Sequence, residues 1–321
     1  MTKKTVKPPK TMSVAEAAGE YIASLSLGRR SIVNYRQRLF VFADWCYAMG
    51  IALEQIKPSH VNRFVEFLTS THVNHKGGSL SDATVAGYVQ IIKIFLGWCA
   101  NPEKNEEYAE YVKPITPRAI GMPKVTKRIV ETFTDEQIAA LKMACKQNYN
   151  EHLRLRDEAI LCVLLSTGVR ASELCALTIG NTHLEPSESY IKVTGKGKKQ
   201  REIPIDTPTR RILKRYLRDY RVGAQGSSPL FAKREGVEGL AVAGLESVIG
   251  RLGMWAHIDE STVRCSPHTF RHTFAARFMR NGGDVYMLRR QMGHEDIDTT
   301  SRYLESLSSR DIRLRLQGMK E

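Results

Sequence analysis

Apolar residues recur at helical spacing along most of this sequence, and one stretch rich in proline and basic side chains interrupts the pattern. That stretch runs from Lys113 to Arg128, and its prolines favour extended backbone and cannot continue a helix. Before it, one predicted helix has an apolar face made of Tyr35, Leu39, Phe42, Cys46 and Met49. The sequence therefore predicts a flexible basic arm (1–12), a small helical domain (13–112), a basic linker (113–130) and a second domain (131–321).

The second domain contains one segment that does not follow the helical pattern. Polar and apolar residues alternate from Tyr190 to Thr194 and again from Glu202 to Ile205, around a turn rich in glycine and lysine. This alternation predicts an antiparallel β-hairpin, whereas the flanking segments favour helices. The predicted fold class is mainly α, or α+β, with two mostly helical domains and a small antiparallel sheet in the second.

The chain is strongly basic. Lys and Arg outnumber Asp and Glu by 48 to 34, which gives a formal net charge of +14 and a pI of about 9.5. Such an excess favours a polyanionic partner, with nucleic acid first among the candidates. Charge alone is also compatible with a protein that is merely soluble, and it indicates no reaction.

Several classes of protein lack support in the sequence. The six cysteines form no C-x-x-C pair and mostly lie in apolar runs, which predicts reduced thiols in the core. We find no clustered carboxylates or Cys/His ligand spacing, so no metal or other cofactor is expected. The sequence has no apolar run of about 18 residues, which argues against a membrane span and favours a cytoplasmic protein.

The run from Leu164 to Leu174 reads as the end of an apolar helix at Gly168, followed by a new helix that starts near Arg170. A helix start presents unpaired N–H groups and the positive end of a dipole, so an arginine there is well placed to bind an anion. The alternative is ordinary helix chemistry, in which Arg170 pairs with Glu173 one turn later.

A second motif runs from Ser266 to Phe278. Ser266 caps a predicted helix and Pro267 is its first residue, which puts His268 and Arg271 one turn apart on a shared face. The pair can grip one anion together, although His268 alone could equally be a surface histidine. The stripe of aromatic residues in this helix predicts core packing. It consists of Phe270, Phe274 and Phe278.

Two further segments hold reactive side chains. In the predicted hairpin turn, Lys196 lies between two glycines, which let the backbone come close to a ligand, although most such turns are only solvated. After Met292, Gly293 ends a helix and Asp298 can cap the next one. This puts His294 on the connection and Tyr303 on the helix that follows.

Taken together and in this order, these motifs resemble the tyrosine recombinase (phage integrase) family. The matching patterns are R-x-x-E-L, a hairpin G-K-G, H-x-x-R-H and L/M-G-H…T-T…Y, and they extend from about Thr134 to Leu304. The helical amino-terminal part resembles the core-binding domain of the family more loosely. The compact Xer-like branch is the most similar.

The resemblance implies a site-specific DNA recombinase that acts without metal or ATP. Tyr303 is the implied nucleophile, which forms a 3′-phosphotyrosyl bond, and His268 is the candidate base. Lys196 is the implied proton donor to the 5′-oxygen because of its flanking glycines, with the other cations of the turn as open alternatives. These are Lys198, Lys199 and Arg201. Glu173 is the implied supporting residue. The implied catalytic residues are Arg170, Lys196, His268, Arg271, His294 and Tyr303.

These residue types suit phosphoryl transfer. A displacement transition state spreads negative charge over the equatorial oxygens, so guanidinium and imidazole groups stabilise it, at about 3 kcal/mol for each donor. A phenol has a pKa near 10 and therefore needs a base or a cationic field when it attacks. Further basic residues are expected to contact DNA. These are Lys124, Lys127, Arg128, Lys198, Lys199 and Arg201.

The implied partner is double-stranded DNA with specific recombination sites, bound by a homotetramer or by a pair with a homologous recombinase, in the cytoplasm at the nucleoid. The tail after Tyr303 resembles a helix that docks onto a neighbouring subunit, but it could also pack in cis. Two alternatives stay open at this point: relaxation of DNA like a type IB topoisomerase, and binding of DNA without catalysis. A lipid-binding protein would need an amphipathic Lys-rich helix, which we do not find.

Overall fold

The computed structural model describes residues 12–71, 78–110, 112–113, 119–124, 131–195, 199–233 and 236–293. The chain divides into two compact units, Met1–Lys127 and Arg128–Glu321. The division falls inside the proline-rich segment 113–130. Within the described ranges, every helix is too short or too polar to span a bilayer, and no group of three or more His, Cys, Asp or Glu side chains could hold a metal ion.

The described part of the first unit is built from helices. Ser13 and Ser81 cap the first and fourth of them by accepting hydrogen bonds from the backbone N–H groups of Glu16 and Thr84. A short helix occupies the acidic stretch near residues 103–110. The helices are α1 (Val14–Ser24), α2 (Arg29–Ala48), α3 (Pro58–Ser70), α4 (Asp82–Cys99) and α5 (Glu106–Ala109).

The apolar faces of α1 to α4 form one core. Leu39, Phe42 and Cys46 of α2 are fully buried, as the helical spacing predicts, and the Phe42 ring packs edge-on against Phe64 with centroids 5.0 Å apart. Met49 was expected on the same face, but 58% of it is exposed. The helix ends at Ala48 and the chain turns at Gly50, so Met49 leaves the periodicity of the face.

The second unit combines seven described helices with one antiparallel sheet of strand order β1–β2–β3. The predicted hairpin is present as β2 and β3, in a register that pairs Val193 with Arg201. β1 was not predicted. The elements are α6 (Asp135–Cys145), α7 (Glu151–Thr167), α8 (Ala171–Cys175), β1 (Thr182–Glu185), β2 (Glu188–Thr194), β3 (Gln200–Pro204), α9 (Thr207–Tyr220), α10 (Val242–Trp255), α11 (Pro267–Arg280) and α12 (Val285–Met292).

Helix α7 lies at the centre of this unit. Ile160, Leu161 and Leu164 are fully buried, and the helix packs against both α9 and α11. A smaller apolar cluster joins α11 to α12 through residues that include Phe274 and Met292. Only residues 168–170 separate the end of α7 from the start of α8, and α7 also contacts α11. The core therefore fixes the relative positions of the helix ends that carry the arginine motifs.

All six cysteines are free thiols in buried or half-buried positions, as expected for reduced core residues. Burial raises the pKa of the Cys46 and Cys99 thiols to about 12. A thiol with such a pKa stays protonated at neutral pH, so these residues act as small apolar side chains. The mainly helical fold with a small antiparallel sheet confirms the predicted fold class.

Candidate active site

The first arginine motif starts at the end of α7. Gly168 ends that helix in the left-handed conformation, with φ of 61°, and Arg170 is the residue that precedes α8. Glu173 accepts a hydrogen bond from the backbone N–H of Arg170 at 2.9 Å and another from its guanidinium at 3.0 Å. The ordinary helix pairing is therefore present. The guanidinium also reaches further, because its Nη2 donates to the Gly293 carbonyl at 2.8 Å.

The second arginine motif lies at the start of α11. Ser266 caps this helix by accepting a hydrogen bond from the Thr269 N–H at 3.2 Å, and Pro267 is its first residue, as predicted. Arg271 is buried and donates to the Gly168 carbonyl at 2.5 Å and to the Met292 carbonyl at 2.7 Å. Arg271 therefore ties the end of α7 to the end of α12.

The His268 side chain lies near Arg271 and reaches the surface of the unit. Partial burial, together with the positive charge of Arg271, lowers the pKa of His268 below its usual 6.5. Its ring meets His272 edge-on, with centroids 4.1 Å apart. An imidazole with a lowered pKa is neutral at physiological pH, so His268 has the protonation state that a base requires. His272 is the last residue of the H-x-x-R-H motif, but the sequence assigned it no role.

Arg201 occupies a position that the sequence did not predict. Its Nη1 and Nη2 donate to the two carboxylate oxygens of Glu173, each at 2.9 Å, and its Nε donates to the Gln291 carbonyl at 2.8 Å. Only 15% of the Arg201 side chain is exposed. The guanidinium thus faces the interior of the unit, whereas the sequence predicted that it contacts DNA.

Glu173 is the anion around which these groups assemble. Its side chain is 3% exposed and accepts four hydrogen bonds, two from Arg170 and two from Arg201. Burial alone would raise the pKa of this carboxyl, but the hydrogen bonds and charges of Arg201 and Arg170 outweigh it and lower the pKa. Glu173 is therefore ionised at neutral pH and holds both arginines in place.

The C-terminal end of α12 is the meeting point of the site. Three successive carbonyls each accept a hydrogen bond from a different arginine: Gln291 from Arg201, Met292 from Arg271 and Gly293 from Arg170. The last carbonyls of a helix lack intrahelical partners and form the negative end of its dipole, so guanidinium groups are stabilised there. This arrangement brings together arginines that are distant in the sequence.

Gly293 makes that approach possible. Its φ is 63°, and a Cβ added at this position would lie 2.9 Å from Nη1 of Arg201. Glycine adopts this left-handed conformation without penalty and leaves room for the guanidinium. The sequence predicted that Gly293 ends a helix, but it gave no sign of the arginine packed against it.

Comparison with known proteins shows which family the chain belongs to. A family model described as the phage integrase family matches residues 131–310, which include the α8, β2–β3, α11 and α12 segments. The chain belongs to the phage integrase family. It is a tyrosine-type site-specific DNA recombinase, which confirms the resemblance seen in the sequence, and the topoisomerase-like and non-catalytic alternatives are not favoured.

Similar sequences extend over most of the recombinase. It is 32% identical over 280 residues to a tyrosine recombinase XerD of Chlamydia trachomatis, covering 85% of this chain and 84% of the relative. It is 27% identical over 287 residues to a tyrosine recombinase XerD of Chlorobaculum tepidum, covering 84% of each chain. Both alignments include much more of the chain than the family model matches.

Solved structures share the fold. A XerH site-specific recombinase in a post-cleavage complex with a palindromic difH substrate superposes with a TM-score of 0.77 at 18% identity, covering 98% of this chain and 99% of that one. A Tn1549 transposon integrase in complex with transposon right end DNA gives a TM-score of 0.72 at 15% identity, covering 97% of this chain and all of that one. At such identities the likeness concerns the fold.

The other predicted site residues of the recombinase divide into two groups. Lys124 and Lys199 are exposed, and the Lys199 carbonyl accepts a hydrogen bond from the Gly195 N–H at 2.8 Å, across the hairpin turn. The second group lies outside the described residues. It consists of Lys127, Arg128, Lys196, Lys198, His294 and Tyr303.

Proposed function

We propose that the recombinase cuts and rejoins duplex DNA through Tyr303. The phenolic oxygen attacks a backbone phosphorus, a 3′-phosphotyrosyl bond forms, and the bond from phosphorus to the 5′-oxygen breaks. The substrate is double-stranded DNA that carries a specific recombination site. The structures of XerH with difH and of the Tn1549 integrase with transposon DNA support this class of substrate.

One observation carries the proposal. Arg170 and Arg271 donate to the adjacent carbonyls of Gly293 and Met292, directly before the segment that contains His294 and Tyr303. A phosphodiester is an anion, and two guanidinium groups fixed at one helix end form a binding site that needs little rearrangement. The Arg170 side chain is 38% exposed, so a phosphate can reach it.

The charge of the cluster favours the transition state. Arg170, Arg201 and Arg271 contribute three positive charges and Glu173 one negative charge, which leaves +2. Displacement at phosphorus increases the negative charge on the nonbridging oxygens, and preorganised cations stabilise that increase more than they stabilise the ground state. His294 would add a further donor to the same oxygens.

Two proton transfers accompany the reaction. His268 accepts the phenolic proton of Tyr303 as the tyrosine oxygen bonds to phosphorus, and its lowered pKa supports this role. Lys196 donates a proton to the departing 5′-oxygen, which would otherwise leave as an unstable alkoxide. The phosphotyrosyl link conserves the energy of the broken bond, so rejoining to another 5′-hydroxyl needs neither ATP nor a metal ion.

We further propose how the rest of the chain takes part. Residues 13–112 bind the recombination site as a core-binding domain, residues 131–321 form the catalytic domain, and the basic linker follows the DNA backbone. The linker and turn cations that contact DNA are Lys124, Lys127, Arg128, Lys198 and Lys199. The reaction takes place in the cytoplasm, at the nucleoid, and serves integration, excision, resolution or transposition.

The working assembly is a homotetramer on DNA, or a tetramer shared with a homologous recombinase. In this proposal the segment 304–321 docks onto a neighbouring subunit. Removal of residues 304–321 should leave binding of a single half-site intact and abolish the tetrameric complex, as measured by native mass spectrometry with DNA. A tetramer that forms without this segment would contradict the docking role and favour packing in cis.

Covalent trapping tests the chemistry. DNA captured covalently by the protein in its host is sequenced, and the site is then rebuilt as a nicked duplex from which the cleaved end diffuses away. The wild-type chain should form an adduct stable to detergent whose peptide contains Tyr303, and Tyr303→Phe should bind the duplex equally well without forming it. An adduct in Tyr303→Phe, or no adduct in the wild type despite tight binding, would refute the proposal.

A further inference from the structure

Arg201 joins three separate parts of the catalytic unit. It lies on β3 and contacts Glu173 of α8 through both terminal nitrogens and the Gln291 carbonyl of α12 through Nε. The sequence predicted a DNA contact for Arg201 and left open whether it, in place of Lys196, reaches the leaving group. The described contacts instead use all three nitrogens of its guanidinium inside the protein.

Two glycines fit closely around this guanidinium. A Cβ added at Gly293 would lie 2.9 Å from Nη1 of Arg201, and one added at Gly195 would lie 3.4 Å from the same atom and 3.5 Å from Oε1 of Glu173. Gly195 precedes Lys196, and Gly293 precedes His294. The residues directly before Lys196 and His294 therefore both pack against the Arg201 side chain.

Only an arginine can make this set of contacts. The planar guanidinium presents N–H groups in a fixed fork that matches a carboxylate and still leaves Nε to donate sideways, whereas a lysine ammonium is a point charge on a flexible chain. The Arg201 and Glu173 side chains are 15% and 3% exposed. A charge pair buried to this degree holds its geometry because either partner alone would be left desolvated and unpaired.

We propose that Arg201 is a positioning residue for the cleavage step, which clamps the β2–β3 hairpin onto α8 and α12 and so places Lys196 at the leaving oxygen. The inference rests on the proposed function, since it assumes that Lys196 protonates the 5′-oxygen. Its alternative is the DNA contact expected from the sequence, in which the Arg201 charge neutralises a phosphate. The two roles differ in what a substitution changes.

The test compares two variants with a control. Arg201→Lys keeps the charge and loses the fork, and Arg201→Gln loses both. Arg211→Gln removes one positive charge from an exposed position of α9 and serves as the matched control. Each full-length protein is assayed on the nicked duplex described above, for the single-turnover rate of adduct formation at saturating DNA and for DNA affinity across a range of salt concentrations.

We expect both Arg201 variants to form the adduct about 100-fold more slowly at saturating DNA, because a small displacement of a reacting group has an effect of that size. Their DNA affinity and its dependence on salt should stay within twofold of the wild type. The control should cleave at the wild-type rate.

A second substrate shows whether the slow step is protonation of the leaving group. In a duplex whose scissile 5′-oxygen is replaced by sulfur, the tyrosine–phosphorus bond forms as the phosphorus–sulfur bond breaks. A thiol has a pKa near 8.5, so the sulfur departs as a thiolate without needing a proton. On this substrate we expect the rate of adduct formation relative to the wild type to be at least tenfold higher than on the oxygen substrate, in both Arg201 variants and in Lys196→Ala. A variant that is merely unfolded would not be restored.

Three results would overturn the inference. Arg201 would be assigned to DNA binding if the DNA affinity of its variants depended less on salt, by about one phosphate contact, while cleavage at saturating DNA stayed normal. Cleavage by Arg201→Lys within twofold of the wild type would show that the fork is not needed. A loss of rate that the sulfur substrate does not restore would show that Arg201 does not act through the leaving group. Failure of the proposed function is distinct, because the wild-type chain itself would then form no adduct.

Discussion

Replacement of Glu173 by glutamine probes the centre of the site. The carboxylate accepts hydrogen bonds from four N–H groups, two of them from Arg201. A glutamine of the same shape has one oxygen and one amide group, so its N–H₂ would face donors on one side. The substitution therefore leaves the Arg201 charge largely buried and uncompensated.

The size of the effect follows from burial. Breaking a buried ion pair by removing one partner costs about 3–5 kcal/mol. Arg170 is 38% exposed, so solvent screens its share, and the estimate rests on Arg201, which is 15% exposed. Because glutamine keeps some hydrogen bonds, we expect about 3 kcal/mol of lost stability, which lowers Tm by roughly 6–12 °C in a unit of this size.

Scanning calorimetry of the full-length chain measures this change. Glu202→Gln is the matched control, since Glu202 is 54% exposed and pairs with Lys192 at 3.5 Å. Removal of such a surface pair changes stability by at most about 1 kcal/mol. If Glu173→Gln and Glu202→Gln shift Tm by the same small amount, the carboxylate does not hold the arginines and the account of the site is wrong.

Three further predictions address the same cluster. Since the folded pKa of Glu173 lies below its ordinary 4.5, its stabilisation is complete above that value and is lost as pH falls through the folded pKa, so the Tm difference between wild type and Glu173→Gln should shrink below pH 4.5. Gly293→Ala should lower the free energy of unfolding, measured in urea, by about 1–3 kcal/mol more than Gly282→Ala does, and it should also slow cleavage more. Both glycines have a positive φ, but of the two only Gly293 packs against a guanidinium. The adduct formation rate should stay constant as pH is lowered to 6.5 and fall only below it, since the pKa of His268 is lowered; a fall already complete at pH 6.5 would contradict its role as the base.

Local patterns allowed much of this recombinase to be read from its sequence. Ser266 and Pro267 start α11 where the cap and the proline predict, and Gly168 ends α7 in the left-handed conformation that glycine favours. These signals are short in range, because a cap or a turn depends on the dihedral angles and hydrogen bonds of a few neighbouring residues. The order of the motifs then predicted the family that the comparisons establish.

Other features escaped the sequence because their partners are not local. The β1 strand has only four residues, and it is defined by its pairing with β2 more than by its own alternation. Arg201 looked like one more cation in a basic turn, since nothing in its immediate sequence reports that Glu173 lies opposite. Met49 fitted the helical face but falls one residue beyond the end of α2.

The sequence by itself determined which side chains this chain can bring to a phosphate and which helix ends carry them, since caps, prolines, glycines and apolar periodicity act over a few residues. Only the tertiary structure decided that Arg170, Arg201 and Arg271 meet at one helix end. The acceptors there are backbone carbonyls, which every residue has, so the residue types at these positions do not indicate them. Packing of α7, α11 and α12 places those carbonyls within reach, and the buried carboxylate of Glu173 holds two of the three arginines, Arg170 and Arg201, beside them.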